Sequence, residues 1–460
     1  MSKVLKTTRR DVLKTAAAAT TFSILPSGML FGQNKPSEQF RFAQVGCGGK
    51  GSSDMGEMLK AGAKLVAMVD VDKKRAAGNF KKHNGVPTYS DYRVMLDKHE
   101  KEIDGVVVST PDHTHACIAL EAIKRGKHVY VQKPLARTYQ ECQVLLEAAK
   151  KHGVVTQMGN QGHAGNGLKL WSQMQAENAF GDIESVHSWS NRPVWAQGMT
   201  SLPKAETAPA DLDWDSWLGP IADKPYSSKY LPFAWRGWWD FGCGAMGDMA
   251  VHNMDPAFWI FKLGLPNKVK AIASGPVTVA YPHWSTIEMW FDKSPVTGKP
   301  MKITWYDGKK DGKQNAPKVP SGANPNLDLG GNGCLVVGSK MSALGGSHAA
   351  RPLPIAIGSE YKKDEVKALE KHYRDAAKNL KSDNHYGQWV NAAKAGDLNL
   401  CGSKFDYSVP FTQSLLLACI ALKYPGQELV WDDSKKQFSN NSDANQWLQI
   451  TPRKGFSLSL

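Results

Sequence analysis

Phe40-Arg41-Phe42-Ala43-Gln44-Val45 runs straight into Gly46-Cys47-Gly48-Gly49-Lys50-Gly51, and a helical pattern through Met55, Met58 and Leu59 follows. An apolar strand, a glycine-rich turn and a helix in that order form G-x-G-x-x-G in the setting where it has a physical meaning. Gly46 permits the tight turn, Gly48 lets a pyrophosphate approach the backbone, and Gly51 lets the helix pack close to the sheet. The amides at the helix N-terminus then face the phosphate charge. A second strand, Lys64 to Val69, ends in Asp70, some twenty residues on, where a carboxylate can accept both ribose hydroxyls of an adenosine. This favours NAD. Lys73, Lys74 and Arg75 follow closely and could meet a 2′-phosphate, so NADP stays open as the alternative.

Further strands are expected at Gly105 to Ser109, His128 to Val131 and Val154 to Met158, separated by helical patterns at Ala116 to Lys124 and Tyr139 to Lys151. Such alternation specifies an α/β fold with a doubly wound, parallel Rossmann sheet and ligands at the carboxyl ends of the strands. Two of those ends carry distinctive residues, Ser109-Thr110-Pro111-Asp112-His113-Thr114-His115 and Gln132-Lys133-Pro134. His113-x-His115 also invites a metal reading, but spacing indicates no third ligand and the surroundings belong to dinucleotide binding. No metal is expected.

With these motifs the chain resembles the Gfo/Idh/MocA oxidoreductases across essentially the whole length after residue 35. The resemblance implies that Thr110, Pro111 and His115 line the cofactor site, and that Lys133, followed by Pro134, lies beside the nicotinamide and the substrate hydroxyl. Gln132 stands where the family usually has Glu, so a neutral amide must take over that acid's task. Gly242-Cys243-Gly244-Ala245-Met246-Gly247-Asp248-Met249-Ala250-Val251-His252 resembles the family's second-domain helix. Asp248 and His252, four apart, share a helix face, and the acid is expected to orient an imidazole suited to proton transfer. The catalytic candidates are Lys133, His252 and Asp248. The cofactor-binding candidates are Gly46, Gly48, Gly49, Lys50, Gly51, Asp70, Thr110, Pro111, His115, Gln132, Lys133 and Gln161.

Beyond residue 158 a helix (Gly167 to Glu177) and strand-like stretches at Ile183 to Ser190, Lys268 to Ser274, Thr286 to Phe291 and Lys302 to Tyr306 suggest a second α/β domain with an open, mainly antiparallel sheet. Residues 307–358, rich in Gly, Pro, Asn and Lys, read as a long loop insertion crossed by one strand near Cys334 to Val337. Helical patterns at Val366 to Asn379, Tyr386 to Ala395 and Phe411 to Leu422 close the chain. The expected organisation is therefore a leader at 1–35, a nucleotide domain at 38–158, a substrate and oligomerisation domain at 159–430 and a tail at 431–460. Fifteen tryptophans include a cluster before the Asp248 helix. Broad aromatic faces stack on pyranose C–H faces while polar side chains bind hydroxyls, so Asn160, His163, Arg236 and Trp239 are the substrate candidates and a carbohydrate the expected ligand. In the resembling family the second sheet often forms a subunit contact, which implies a homo-oligomer.

A formal charge of +14 is concentrated in part in the first 35 residues, and the rest is dispersed, with no basic run interleaved with aromatics. Nucleic acid is not the expected partner. The seven cysteines, Cys47, Cys117, Cys142, Cys243, Cys334, Cys401 and Cys419, are widely spaced with no C-x-x-C and read as buried thiols. No run of eighteen apolar residues suggests a membrane span. Thr8-Arg9-Arg10-Asp11-Val12-Leu13-Lys14, followed by a mild Ala/Thr-rich stretch, resembles a twin-arginine export signal, with Val12 where Phe is more usual. That implies periplasmic or extracellular residence after export in the folded state. Away from a cytoplasmic NAD pool, a tightly bound cofactor would have to be regenerated within each cycle. Oxidation of one sugar with reduction of another would do this. So would a redox-neutral glycosidase or lyase route through a 3-keto sugar; a non-catalytic sugar-binding protein is the remaining alternative.

Overall fold

The computed structural model describes residues 39–357 and 363–460; the twin-arginine stretch lies outside them. Six parallel strands, β1 (Arg41–Val45), β2 (Lys64–Val69), β3 (Thr88–Tyr89), β4 (Gly105–Val108), β5 (His128–Val131) and β6 (Thr156–Met158), form the first sheet in the order β3-β2-β1-β4-β5-β6. The order reverses between β1 and β4, which opens a crevice above their carboxyl ends. Every residue of β4, Gly-Val-Val-Val, is buried, as expected of a parallel strand covered on both faces. The helices are α1 (Lys50–Lys60), α2 (Lys73–Lys82), α3 (Tyr92–His99), α4 (Asp112–Lys124) and α5 (Tyr139–His152). The α5 helix starts in a capping box, the Thr138 hydroxyl accepting from Glu141 N–H while the Glu141 carboxylate accepts from Thr138 N–H, and it stops at Gly153 in the left-handed conformation.

After α6 (Asn166–Ala176) the chain builds a ten-stranded sheet in the order β14-β13-β12-β7-β10-β9-β8-β15-β16, with β11 (Lys313–Gln314) paired to β10. Its strands are β7 (Ile183–Ser190), β8 (Lys268–Ala273), β9 (Trp284–Phe291), β10 (Met301–Lys310), β12 (Asn332–Gly338), β13 (Met341–Gly345), β14 (Leu353–Ile357), β15 (Glu428–Asp432) and β16 (Gln437–Phe438). All pairs are antiparallel except β7 with β10. Burial alternates residue by residue along β9, so one face packs on helices. Those include α7 (Asp255–Phe261) and α10 (Phe405–Ala421); α8 (Lys363–Asn379) and α9 (His385–Ala395) come between them, and two short helices, Trp214–Leu218 and Val251–Asn253, precede α7.

Two expectations about organisation are corrected. Residues 307–358 are not a loop crossed by one strand, because β12, β13 and β14 extend the second sheet there. Residues 431–460 are not merely a tail. They complete β15 and add β16 at the far edge of the sheet, and then return to the first domain, where Arg93 donates to the Gly455 carbonyl at 2.9 Å. All seven cysteines are free and buried.

Candidate active site

A cleft of about 530 Å³ lies along the carboxyl ends of β1, β2, β4 and β5 and is closed on its other side by residues of the second domain. Gly46, Gly48, Gly49, Lys50, Asp70, Thr110, Pro111, Gln132, Lys133, Gln161, Arg236, Asp248 and His252 all line it.

On the β1–β2 side the backbone is built for close approach. A Cβ on Gly46 would stand 2.5 Å from the Ser109 carbonyl oxygen, and one on Gly51 would run into the Gly46 carbonyl, so the turn tolerates no side chain at either position. Helix α1 begins at Lys50, after an N-cap glycine, Gly49, that supplies no side-chain cap, and has no acid in its first turn. Its N-terminal amides thus meet no protein anion, which fits a phosphate group. Asp70 accepts from Cys47 N–H at 2.7 Å and Gly48 N–H at 3.2 Å through Oδ2, and from Asp72 N–H at 3.0 Å through Oδ1. Burial raises its carboxyl above the ordinary value against those hydrogen bonds. Arg75 arches over Gly48 and Gly49 and lines the cleft; Lys73 and Lys74 are exposed and do not.

On the β5 side, Lys133 Nζ donates to Asp248 Oδ1 at 2.8 Å and to the Asp248 carbonyl at 2.9 Å. Arg236 Nε reaches the same Oδ1 at 3.3 Å, with its guanidinium over the rings of Trp235 and Phe233 at 4.1 and 4.4 Å. Burial works to raise the Asp248 carboxyl, but the Lys133 and Arg236 charges outweigh it, and the group lies below the usual carboxylate range. Asp248 sits in a π-helical turn, Met246–Ala250, a form of helix that recurs at functional sites. The expected Asp248–His252 contact is not made, since two cations hold the carboxylate and a neutral imidazole does not compete with them. His252 stacks instead on His348, centroids 3.9 Å apart, and its Nδ1 is buried without a partner. Burial first, then the charges of Lys133, His348 and Lys50, push its pKa well down, so the ring is neutral.

Gln132 donates to Asp54 Oδ2 at 2.9 Å. The fully buried Asp54 also accepts from Ser109 at 2.7 Å, Lys50 at 2.6 Å and Tyr386 at 2.7 Å. A carboxylate therefore serves this end of the cleft after all, from α1 instead of β5.

Five candidates do not line the cleft: Gly51, which lies against the Gly46 carbonyl where the helix meets the turn, and four others. His115 is buried between the Pro134 and Thr110 carbonyls, 2.9 Å from each, and as a neutral ring donates to one of them. His163 is buried against Asp255, 3.0 Å from both carboxylate oxygens, and packs on Tyr407 and Trp259. Trp239 lies in the interior between Tyr281 and Trp447 with the Lys423 ammonium over its ring. Asn160 is 1% exposed, with both amide atoms unpartnered, and does not line the cleft. Each reading took a polar or aromatic residue for a ligand contact, and none of the four lines the cleft. His113 is likewise buried, 2.8 Å from the Trp217 carbonyl and 3.3 Å from that of Phe241, and among the described residues no three His, Cys, Asp or Glu are placed to hold a metal. Among the residues missed, Asp112, His348, Trp217, Phe233 and Trp235 line the cleft. Burial pushes Asp112 up to about 7, against the pull of Arg236 and Lys133. His348 carried no usable signal, since it lies in the glycine-rich stretch read as a loop.

A Rossmann sheet with an uncapped glycine turn, a strand-end acid and a Lys–Asp pair completed by a helical turn of the second domain defines a two-domain dinucleotide-dependent oxidoreductase. Residues 40–160 match the oxidoreductase family's NAD-binding Rossmann fold and residues 182–299 its C-terminal alpha/beta domain, between them more than half the chain. The chain belongs to the Gfo/Idh/MocA family. It is 30% identical over 186 residues to a levoglucosan dehydrogenase of Pseudarthrobacter phenanthrenivorans, covering 40% of this chain and 39% of that one. It is 32% identical over 96 residues to a 2,7-anhydro-N-acetylneuraminate hydratase of Escherichia coli, covering 20% and 26%. These matches thus span about two-fifths or less of those relatives' lengths. The WlbA dehydrogenase of Chromobacterium violaceum, solved with NADH and UDP-GlcNAcA, shares the fold with a TM-score of 0.59 and 18% identity over 88% of this chain and 99% of its own.

Proposed function

We propose that the chain is an NAD-dependent oxidoreductase of carbohydrates that transfers hydride between a secondary carbinol carbon and a tightly bound nucleotide, which is regenerated within each cycle. The observation that carries this reading is the Lys133–Asp248 pair sharing one cleft with Asp70 and the uncapped start of α1. Bound NAD supplies the hydride acceptor. Asp70 and the Gly46–Gly51 turn would hold its adenosine and phosphates. Lys133, fixed by Asp248, donates a hydrogen bond to the substrate oxygen and stabilises its negative charge as the hydroxyl proton leaves. Phe233, 44% exposed, offers an apolar face to a sugar ring.

A levoglucosan dehydrogenase among the relatives supports a hydroxyl of a sugar ring as the group oxidised. The relative named as a hydratase supports the redox-neutral variant, in which transient oxidation enables elimination or hydration before the hydride returns. Export in the folded state, with residence in the periplasm and assembly as a homo-oligomer through the second sheet, completes the proposal. It rests on the Arg9-Arg10 motif and on Ile272, 51% exposed on β8.

Native mass spectrometry of the purified protein, paired with 340 nm absorbance on adding glucose, levoglucosan or myo-inositol, tests the reading. Retained nucleotide that is reduced by one of them is expected, and Lys133→Ala should slow that reduction by about a thousandfold. Protein that carries no nucleotide, and that leaves added NAD unreduced with every sugar, would overturn it.

A further inference from the structure

Behind the cleft runs a chain of hydrogen bonds that neither the glycine turn nor the Lys133 pair explains. Asn253, fully buried, donates from Nδ2 to the Trp189 carbonyl at 2.7 Å, which makes its Oδ1 the acceptor end of the amide. The Ser347 hydroxyl donates to that Oδ1 at 2.9 Å. A serine hydroxyl has a single hydrogen. With it committed to Asn253, Ser347 Oγ can only accept at its 2.7 Å contact with His348 Nδ1. The ring proton of neutral His348 therefore sits on Nδ1, and Nε2 carries the lone pair. The imidazole lines the cleft and is exposed to it.

The backbone points the same way. His348 and Ala349 have φ of +59° and +52°, two successive non-glycine residues in the left-handed region. Such strain persists only where the surroundings over-determine it, and it gathers at functional sites. Here two glycines supply the constraint. A Cβ on Gly162 would run into the His348 carbonyl, and one on Gly167 into that of Ala349. His252, by contrast, has no hydrogen-bonded group to orient it, only the ring of His348 against its face.

We propose that His348 is a catalytic base of this cleft, held as the Nδ1–H tautomer by the positioning residues Ser347 and Asn253, and that Nε2 accepts the proton of the substrate hydroxyl. The inference rests on the sugar-oxidising function above. As hydride leaves the carbinol carbon for the nicotinamide, the O–H bond breaks, the Nε2–H bond forms, and the electron pair left on oxygen becomes the second bond of the carbonyl. On reduction of a ketone the same proton returns. His252 packs His348 into place, and Lys133 holds the oxygen. The groups facing His348 are the neutral ring of His252, Lys133, Lys50 and Arg192 on the cationic side, and Asp248 on the anionic side. Burial and those cations hold its pKa below the ordinary imidazole value, so the lone pair is free at neutral pH.

Nitrogen-15 NMR of histidine-labelled full-length protein, with His348 assigned by its loss in His348→Asn, reads the tautomer without turnover. Protonated Nδ1 and bare Nε2 are expected at neutral pH. Ser347→Ala should release the tautomer and lower kcat at least tenfold. His348→Asn should lower kcat at least a hundredfold and remove the acid limb from the pH profile of kcat/KM, with nucleotide retained. A neutral Nε2–H tautomer in the unaltered protein, or a His348→Asn variant within twofold of its kcat, would overturn the proposal alone. Failure of the unaltered protein to reduce nucleotide with glucose, levoglucosan or myo-inositol would overturn the sugar-oxidising function and the acceptor role together.

Discussion

Asp54 shows how much a single buried side chain organises. Its carboxylate gathers Lys50 from its own helix, Ser109 from the end of β4, Gln132 from the end of β5 and Tyr386 from α9. Three of those four donors line the cleft. Asp54→Ala would strand them, and because hydrogen bonds to a charged group are involved, a loss of about 3 kcal/mol is expected in urea denaturation, together with weaker nucleotide binding. At the opposite end of the cleft, Asp70 accepts from three backbone amides and faces any group placed on the adenosine 2′ position, while Arg75 beside it carries the opposite charge. The unaltered protein should bind NAD more tightly than NADP by calorimetry. Asp70→Ser should reduce that preference at least tenfold, and adding Arg75→Ala to it should weaken NADP selectively. Asp70 was legible from its distance beyond a glycine turn. Asp54 was not read as a site residue, although it lies on the same buried face of α1 as Gly51, Met55 and Met58; periodicity marks a face as inward but does not say that a charge on it will find partners.

Among the elements, most of the strand–helix alternation of the first domain was open to reading because β1, β2, β4 and β5 are short apolar runs and α5 has a stop signal at Gly153, whereas the two-residue β3 and the polar helices α2 and α3 beside it were not read. The expected His128 to Val131 and Ile183 to Ser190 strands coincide with β5 and β7. The stretch holding β12, β13 and β14 was not open in the same way. Its glycines, prolines and asparagines satisfy the turn rules, and its strand pairing depends on β7, more than a hundred residues earlier. The loop between β13 and β14 is fixed from outside, by α6 and the turn before it, and a methyl group at Gly162 would displace it. Gly162→Ala is expected to cost about 1–3 kcal/mol in thermal or urea unfolding and to lower turnover at least tenfold while leaving NAD affinity within twofold, because the glycine cradle lies elsewhere.

Seen whole, the molecule buries several imidazoles in neutral form. Burial pushes His113 down to about 3, His115 to about 4 and His385 to about 3, with His252 also held well below the ordinary value. In the unfolded chain each takes up a proton near pH 6.5, so unfolding binds protons below that point. The stability these residues confer is complete above pH 6.5 and falls as pH drops toward their folded values, by about 1.4 kcal/mol per pH unit for each. Asp112 and Asp307, raised by burial to about 7 and about 6, act in the opposite sense, but the imidazoles outnumber them. The melting temperature should therefore decline between pH 6.5 and 5 in calorimetric scans, and a melting temperature that held or rose there would contradict this balance.

The seven buried thiols have a practical corollary. Burial raises the proton affinity of each sulfur, Cys117 and Cys334 to about 12, so none offers the anion that attacks disulfides and alkylating agents. Folding needs no oxidant to make the chain whole and no reductant to keep it so. The native enzyme should keep its sulfhydryls untouched by Ellman's reagent and release a full complement only in guanidinium, indifferent to the redox poise of whichever compartment holds it.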